Sequence, residues 1–572
     1  GLRPAFSECV NDTLLAPLSP KARELIVSTV ALNHHSDGKH FEIFLDDLFD
    51  RLDLDHSEAL VNPVQAPRRK RVAIVGGGLA GCATAWHLSQ MVPDAELVLF
   101  EAGKDIGGRI ESIEIEGRTI EIGAAIFHAV NTEVLSLARA MQLPLVEPTG
   151  RRDESGEVEA EHQTVDTYSS LPAVGVFDGT TFALQVGGNG ISDLLRLVWR
   201  YGMNPLKVSW TVNKFKKQLR ASYAQRDPFT SVEHFLSRAG LVRWAETPTD
   251  GLGLGGKFVD ECLGPICRCT YAQGAGINAY SGLATLVAAD GGGLHTIAGG
   301  NHWLPRRLVQ TAKSTVRTGV GVKSVVRHSD GFDVSLHCPQ GDQQDAPSRF
   351  DAVVMAVGGV SLQRQAGEGM GWVVVDQERE SEIHIDVVVT LVCGHLNPTF
   401  FGLAQDQPVP EMVLTTQTET RFFSVGAVER LPEGPLFKIF SSNCLGANTH
   451  SALHPADSAY TMLSHLLYLF IAAIPQPRYP ASLRFTDDAL LGEMFRAGYT
   501  VHHSRTWRRC FPLLAPHLTT PRAIGGGGHP PVVICPGLVS ASALETLAPS
   551  LEAAALGAKN AASLVATFLS TL

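Results

Sequence analysis

The sequence predicts an α/β fold in which helices join the strands of a buried parallel sheet. Three observations predict it: an apolar run opens residues 71–109, a glycine-rich turn and a helix follow, and a second apolar run ends on an acid. A strand–helix–strand unit of this kind makes its two strands parallel. The chain has 572 residues, of which 44% are hydrophobic, so it is long enough for two or more domains with large cores.

The first strand, Val72–Val75, leads directly into three glycines at GxGxxG spacing. Gly76 allows a tight turn, Gly78 lets backbone N–H groups approach a pyrophosphate, and Gly81 lets the helix pack closely on the strand. The helix that follows directs its N-terminus at the phosphates. The segment therefore predicts a dinucleotide site.

The second strand, Leu97–Phe100, is followed by Glu101, about 20 residues beyond the glycine turn. A carboxylate at this place accepts hydrogen bonds from the ribose hydroxyls of an adenosine. A second glycine motif then brings Gly108 and Arg109. In flavoproteins with this motif the loop runs beneath the ribityl chain and the pyrophosphate, and the arginine neutralises phosphate charge. The two motifs together predict FAD rather than NAD as the cofactor.

A third strand is predicted to return to the cofactor at Glu121, so that Gly123 and Ala124 pass the flavin with their backbone. Val322 lies in a predicted strand, Gly319–Arg327, whose main chain would hold the adenine. An ordinary core valine is the alternative there.

Near the C-terminus, Val532–Ile534 is predicted to be the last strand, and it leads through Gly537 to a helix. Gly537, Ala543 and Leu544 are predicted to lie at this strand-to-helix turn, where N–H groups would meet the flavin pyrimidine oxygen. A helix N-terminus there would stabilise negative charge on the reduced ring.

Composition excludes several kinds of site. A net charge of −11 argues against a nucleic-acid partner. The ten cysteines include no CxxC pair and the 21 histidines no HExxH spacing, so no metal is predicted. Ser458–Pro477 has no formal charge, but its apolar part is about 15 residues and a bilayer needs about 20. A buried helix is predicted there, with peripheral membrane contact as the alternative.

The order of domains is predicted from these motifs and from shifts in composition. Residues 1–65 are predicted to form an N-terminal extension that is partly helical. The dinucleotide-binding domain is predicted in three parts, 66–150, 296–360 and 526–572, the last of which holds its C-terminal strand and helix. The substrate domain is predicted in two parts, a helical part over 151–295 and a second part over 361–525.

Several segments resemble the prenylcysteine oxidase (prenylcysteine lyase) family, in that family's order, and the resemblance covers roughly Arg71 to Phe568. The segments are IGAAIFHAVN (Ile122–Asn131), LVWRYG (Leu197–Gly202), FTSVEHFL (Phe229–Leu236), RCTYAQGAGINAYSGLATL (Arg268–Leu286), IAGGN (Ile297–Asn301) and GLVSASALE (Gly537–Glu545).

The resemblance implies a Rossmann-type FAD-binding domain of the glutathione-reductase/amine-oxidase kind, with a substrate domain of mixed sheet and helices. It implies an FAD-dependent oxidase that cleaves the thioether of a prenylated cysteine to a prenyl aldehyde and cysteine. In that family hydride passes to flavin N5, and dioxygen reoxidises the flavin to give hydrogen peroxide. A lysosomal, vacuolar or secretory location is implied as well.

The resemblance also suggests residues for the substrate side. His128 would guide the water or the substrate carboxylate, with a structural histidine as the alternative. Arg268 would pair with the substrate carboxylate, with a structural ion pair as the alternative, and Tyr271 lies in the same segment. Trp199, Tyr201 and Trp210 are expected in a core or along an isoprenoid tunnel.

Three departures from the family pattern fall on the substrate side: residues 1–65 are additional, 240–260 are shortened, and Glu545–Ala554 contain an insertion. Two other functions therefore stay open. One is an FAD enzyme of the amine oxidase or carotenoid desaturase-isomerase kind, acting on an amine or another lipid-like substrate. The other is a flavoprotein with a structural role in an assembly. The sequence does not specify an oligomeric state.

Overall fold

The computed structural model divides the chain into two compact units, Gly1–Arg69 and Lys70–Leu572. The predictions for residues 1–65 and for Ser458–Pro477 lie outside the described residues. The structure describes residues 68–147, 174–187, 190–223, 225, 227–288, 293–337, 348–357, 362–364, 372–374, 384–416, 420–442, 487–516 and 532–572.

The α-helices in these ranges are α1 Leu79–Met91, α2 Thr132–Ala140, α3 Gly190–Tyr201, α4 Asn204–Tyr223, α5 Val232–Ala239, α6 Val242–Glu246, α7 Gly256–Phe258, α8 Gly264–Tyr271, α9 Ala279–Ala288, α10 Trp303–Ala312, α11 Asp487–Met494 and α12 Leu551–Leu569. A π-helical turn, Val259–Leu263, joins α7 to α8.

The strands are β1 Arg71–Val75, β2 Glu96–Glu101, β3 Ser112–Ile115, β4 Arg118–Glu121, β5 Phe127–His128, β6 Leu145–Val146, β7 Val174–Phe177, β8 Phe182–Val186, β9 Leu294–Ile297, β10 Thr315–Thr318, β11 Gly321–His328, β12 Gly331–His337, β13 Ser348–Phe350, β14 Ala352–Met355, β15 Leu362–Arg364, β16 Trp372–Val374, β17 His384–Cys393, β18 Met412–Thr415, β19 Phe422–Leu431, β20 Gly434–Ser441, β21 Thr500–Pro512, β22 Val533–Cys535 and β23 Leu538–Ser540.

The central sheet has the strand order β10-β2-β1-β14-β23-β22. β1 runs parallel to both neighbours, with Val72 opposite Leu97 on one side and Ala352 on the other. β14 is buried along its whole length, as a parallel strand covered on both faces must be. The α/β class predicted from the sequence is confirmed, and the sheet joins segments that are hundreds of residues apart.

The prediction that Val532–Ile534 is the last strand is wrong. β22 occupies nearly that place, but the chain turns back at Pro536–Gly537 and adds β23 antiparallel to β22. β23 then pairs in parallel with β14, which makes it the last strand of the sheet. Pro-Gly is a turn signal, and here it closes a hairpin rather than opening the helix.

Different layers cover the two faces of this sheet. On one face α1, α10 and α12 share a core in which α12 contributes mainly alanines, which allow close helix packing. On the other face β11, β12 and β13 form an antiparallel sheet, and its Val325, Phe332, Val334 and Phe350 pack on β14. The strand predicted over Gly319–Arg327 is confirmed as β11, which forms a hairpin with β12.

A second sheet has seven strands in the order β21-β17-β20-β19-β18-β7-β8. Its strands are antiparallel except for the parallel pair β18–β7. The core on one side of it contains several buried aromatic residues, including Phe177, Phe401, Phe422 and Phe495. The mixed sheet belongs to the part of the chain that the sequence predicts as substrate domain.

The expectation that Trp199 and Trp210 build a core or line a pocket is wrong. Trp199 is 89% exposed and Trp210 is 69% exposed. Tyr201 is buried, and its hydroxyl donates to Glu261 Oε2 at 2.7 Å. The apolar residues of α4 that do pack inward, such as Phe215 and Leu219, lie on the opposite side of the helix from Trp210. No helix in the described ranges is long and apolar enough to span a membrane.

Candidate functional site

The turn between β1 and α1 brings backbone very close to backbone. A Cβ built on Gly81 would overlap the carbonyl oxygen of Gly76, so only glycine allows α1 to approach β1 at this distance. Gly76 N donates to Phe100 O at 2.8 Å, which ties the turn to the end of β2. The spacing of the glycines thus produces the close packing that the sequence predicts for the third glycine.

Glu101 binds the glycine loop with one carboxylate oxygen and the segment after β2 with the other. Oε2 accepts from Gly77 N at 2.6 Å, and Oε1 accepts from Gly103 N at 2.6 Å. Each oxygen has further lone pairs, so the carboxylate retains acceptor capacity for ribose hydroxyls. Glu101 therefore positions the glycine loop, and it also lines the cavity beside that loop.

The two glycine motifs touch and form one cradle. Gly107 N donates to Gly77 O at 2.8 Å, and Gly78 and Gly107 form an isolated parallel bridge. A Cβ on Gly108 would stand 3.0 Å from Gly78 Cα. The second motif thus extends the phosphate-binding turn into a longer backbone surface.

Arg109 is held by protein groups at the edge of this cradle. Its Nη1 donates to Cys510 O at 2.9 Å, and its Nη2 forms an ion pair with Glu545. The charge of Glu545 raises the pKa of Arg109. Neutralisation of a phosphate by Arg109 remains a prediction, and in this structure Glu545 balances the guanidinium.

The strand segment after Glu121 passes against the second motif. Ala124 N donates to Arg109 O at 2.8 Å, and a Cβ on Gly123 would overlap that same oxygen. Asn301 fixes the segment from the other side, because its Nδ2 donates to Ala124 O at 3.0 Å and to Ala125 O at 2.8 Å. Both Gly123 and Ala124 line the cavity with little side chain, which leaves room for a flat ring.

His128 is buried at the end of β5 and lines the cavity. Its Nδ1 accepts from Val130 N at 3.1 Å, and its backbone N donates to Asn131 Oδ1 at 2.6 Å. An Nδ1 that accepts a bond places the proton of the neutral ring on Nε2. The ring is therefore oriented by its own loop.

Arg268 and Tyr271 lie three residues apart on α8, and both are buried at the cavity wall. Arg268 Nη2 donates to Thr420 Oγ1 at 3.2 Å, and its guanidinium lies 5.3 Å from the centre of the Phe423 ring. Its buried Nε has no hydrogen-bond partner among the residues that the structure describes. No carboxylate of the described residues lies within ion-pair distance of it. Tyr271 packs edge-on against Phe511.

The cavity that joins these groups has a volume of about 1380 Å³. Small-ligand sites usually occupy about 300–1,000 Å³, so this one has room for a dinucleotide and a second ligand. Beyond the cradle, the second sheet contributes a largely apolar wall. These apolar residues are Val387, Val389, Met412, Phe423, Phe440, Trp507 and Phe511.

Comparison with known proteins agrees with this architecture. Residues 74–141 match the model of an NAD(P)-binding Rossmann-like domain, and residues 188–571 match that of the family called prenylcysteine lyase. The second match spans well over half of the chain. The chain belongs to the prenylcysteine lyase family. It is therefore a flavoprotein oxidoreductase with a Rossmann-type domain.

Members of the prenylcysteine lyase family from animals and plants are similar to this chain. Human prenylcysteine oxidase 1 is 26% identical over 418 residues, which cover 67% of this chain and 76% of that protein. The bovine prenylcysteine oxidase 1-like protein is 23% identical over 515 residues, with 86% and 90% coverage. Farnesylcysteine lyase of Arabidopsis thaliana is 26% identical over 384 residues, with 63% and 70% coverage.

Within this prenylcysteine lyase fold, most of the site residues predicted from sequence meet at the cavity. Ala543 and Leu544 join it from the 3-10 turn Ala543–Thr546. The predicted residues that line it are Gly76, Gly78, Glu101, Gly108, Arg109, Gly123, Ala124, His128, Arg268, Tyr271, Ala543 and Leu544.

Gly81, Val322 and Gly537 are not among the lining residues. Gly81 lies behind the turn, and Val322 pairs with Leu336 in the β11–β12 hairpin. Gly537 is not at a strand-to-helix turn but in the β22–β23 hairpin at φ +83°, where a Cβ would stand 2.6 Å from the Phe568 ring. The prediction for the position of Gly537 is therefore corrected.

Lys438 is a cavity residue that was not predicted from the sequence. It lies on β20, and its Nζ donates to Glu121 O at 3.1 Å and stands 5.4 Å from the centre of the Phe440 ring. Burial lowers its pKa, although Glu121 opposes that shift. The available signal was a single lysine in the otherwise apolar run Leu436–Phe440.

Glu552 was missed as well, although it falls in the predicted insertion Glu545–Ala554. It is buried at the cavity, and its oxygens accept from Glu133 N at 2.9 Å and Val134 N at 3.0 Å, at the start of α2. Burial raises its pKa to about 8, although the two N–H bonds and Lys559 favour the charged form. The segment Glu545–Ala554 thus supplies two acids that bind neighbouring elements of the site, Glu545 and Glu552.

Proposed function

We propose that this chain holds FAD in the glycine cradle and oxidises the thioether of a prenylated cysteine. In the balanced reaction, prenylcysteine, water and dioxygen give a prenyl aldehyde, cysteine and hydrogen peroxide. The observation that carries the proposal is one continuous cavity, which runs from the cradle past Gly123 to a buried arginine and apolar walls. Such a cavity suits a ligand with a carboxylate at one end and a hydrocarbon chain at the other.

The residues of the cradle suit FAD. Side chains are absent where the two glycine motifs meet, and a carboxylate, Glu101, stands at the end of β2. Gly123 also lacks a side chain, so it leaves room for the flat ring system of the flavin. When bound, FAD supplies a hydride acceptor at its ring and returns the electrons to dioxygen as hydrogen peroxide.

Arg268 is proposed to bind the substrate carboxylate. Its guanidinium is buried, its Nε lacks a protein partner, and the described residues offer it no ion pair. A buried cation without an anion is unfavourable, and a bound carboxylate would relieve this with strong, charge-assisted hydrogen bonds. The cysteine end of the substrate would be fixed in this way.

The apolar walls are proposed to hold the isoprenoid chain and to keep bulk water away from the reacting carbon. This carbon must lie about 3–3.5 Å from its hydride acceptor for efficient transfer. His128 is proposed to orient the single water that the balanced reaction consumes, because it is buried at the cavity wall and its loop fixes the direction of its ring.

Anaerobic titration tests the proposal. Farnesylcysteine added without oxygen should bleach the visible absorbance of the bound oxidised flavin, and readmitted oxygen should restore it with release of one peroxide per aldehyde. Bleaching by an amine but not by farnesylcysteine would assign the cavity to amine oxidation. A bound flavin that neither compound reduces would contradict a catalytic role on these substrates.

A further inference from the structure

Helices α3 and α4 and the turn that joins them expose large apolar side chains to solvent. Six of them, called here the exposed face, are between 45% and 89% exposed, and they fall within residues 194–210. They are Leu194, Leu195, Trp199, Met203, Leu206 and Trp210. Soluble proteins rarely expose large apolar residues so close together without a partner.

The pattern along α4 shows that these residues do not belong to the core. Val212, Phe215 and Leu219 are buried on one side of the helix. At 3.6 residues per turn, Leu206 and Trp210 point to the opposite side. One apolar stripe of α4 is therefore buried against the rest of the protein, and a second apolar stripe is exposed to solvent.

Positive charge accompanies this face. Lys214 and Lys217 follow Trp210 on the same side of α4 and are exposed, and Lys214 Nζ lies 5.7 Å from the centre of the Trp210 ring. Residues 190–223 hold seven basic residues and one acid, Asp193, in a chain whose net charge is −11. The basic residues are Arg196, Arg200, Lys207, Lys214, Lys216, Lys217 and Arg220.

We propose that the exposed face docks on an anionic lipid surface. Tryptophan, leucine and methionine beside exposed lysines are the composition of a helix that lies in the headgroup region of a membrane. A second copy of the chain is the less favourable occupant, because a twofold contact would bring the same basic residues of both copies together.

The same helix connects this surface to the cavity. Leu219 and Tyr223, at the C-terminal end of α4, line the cavity wall. Leu219 is nine residues beyond Trp210, about 14 Å along the helix axis. α4 would thus lie between the membrane and the site, and a lipid-like substrate could enter directly from the bilayer. This last step rests on the proposed function.

Co-sedimentation with vesicles tests the docking. The full chain with its cofactor should bind vesicles that contain phosphatidylcholine and phosphatidylserine, and more weakly vesicles of phosphatidylcholine alone. Replacing Lys214 and Lys217 by Gln should weaken binding about fivefold per charge, and added salt should weaken it as well. W199A/W210A should weaken binding by about tenfold or more, because both aromatic anchors are lost.

Matched controls lie elsewhere on the surface. Trp303 is 41% exposed at the start of α10, and Lys323 is exposed on β11. W303A and K323Q should bind as the wild type does. Failure of the wild-type chain to bind anionic vesicles at low salt would overturn the proposal, and so would equal binding by W199A/W210A.

Two further results would assign the face to another occupant and overturn the lipid proposal. One is a dimer in light scattering that W199A/W210A converts to a monomer. The other is protection of Trp199 and Trp210 from acrylamide quenching in the absence of vesicles. Vesicle binding does not require catalysis. A chain that binds vesicles but does not oxidise farnesylcysteine would therefore contradict the proposed function and leave the docking proposal intact.

Discussion

Arg268 makes a sharp test of substrate recognition because its guanidinium is buried and, among the described residues, no hydrogen bond satisfies its Nε. Arg268→Lys keeps the charge but loses the planar fork that binds a carboxylate. We expect KM for farnesylcysteine to rise about tenfold or more, with a smaller change in kcat. Steady-state kinetics on the flavin-loaded variant would measure both.

Farnesylcysteine methyl ester is the matched control substrate for this variant, because it lacks the carboxylate. Wild type and Arg268→Lys should use the ester with similar KM. An equal loss on the acid and the ester would show that Arg268 supports the cavity wall rather than the substrate.

Glu552 predicts a pH dependence of stability. Its folded pKa of about 8 lies above the ordinary value of 4.5, so the folded state holds the proton more tightly than the unfolded state. Its contribution to stability is therefore complete below about pH 4.5 and is lost as pH rises through about 8. Glu552→Gln cannot titrate, so its Tm relative to wild type should rise between about pH 5 and pH 8.

The exposed Glu433 provides the control for that measurement. Glu433→Gln should keep the same Tm difference from wild type across the pH range. A Tm difference for Glu552→Gln that is flat or falls with pH would mean that the acid is already ionised at the start of α2.

The sequence predicted residues whose role depends on local backbone geometry. Gly76, Gly78 and Gly81 follow from their spacing, because the turn they form is contained within a few residues. Lys438 and Glu545 could not be predicted in this way, since their partners lie 317 and 436 residues away in the chain.

At the scale of the element, the contact between β1 and α1 gives a prediction. Gly81→Ala would drive a Cβ into Gly76 O, which is backbone and cannot rotate away. We expect α1 to be displaced, destabilisation of about 1–3 kcal/mol, and loss of bound flavin. Flavin absorbance per protein and the Tm of the purified variant would show it.

Gly492 on α11 is the matched control, because a Cβ there meets nothing within 4 Å. Gly492→Ala should retain flavin and gain about 0.5–1 kcal/mol of stability from the helix propensity of alanine. Full flavin content in Gly81→Ala would contradict the assigned packing role.

At the scale of the element, strands could be predicted where both of their faces are buried, because such a strand is an unbroken run of apolar residues. The apolar runs of β1 and β2 are buried in this way, and both were predicted as strands. Trp199 and Trp210 were assigned wrongly, because amphipathic spacing shows that a helix has an apolar stripe without showing what covers it. α4 has two such stripes, and only one packs on the protein.

At the scale of the whole molecule, the proposed cofactor should stabilise the fold by linkage. The cradle and the 3-10 turn Ala543–Thr546 face one cavity from opposite ends of the sequence. FAD at about 100 times its Kd should stabilise the folded state by about 2.7 kcal/mol. Thermal unfolding of the flavin-depleted chain, with and without FAD, would measure this as a rise in Tm.

NAD at the same concentration is the control, and it should leave the Tm nearly unchanged because the second glycine motif extends the cradle beyond what NAD needs. A larger rise with NAD than with FAD would contradict the cofactor assignment.

The fold class could be predicted from the first 50 residues of the Rossmann-type domain. The contact between the first and last segments of that domain could not be predicted, because it depends on the pairing of β23 with β14.

That pairing has a consequence for biosynthesis. β23, the 3-10 turn and α12 leave the ribosome after the other strands of the sheet, and they complete both the sheet and the cavity wall. A nascent polypeptide therefore cannot enclose its prosthetic group until synthesis has passed Leu569. A premature stop codon at Ser550, which would remove α12, would consequently abolish cofactor capture.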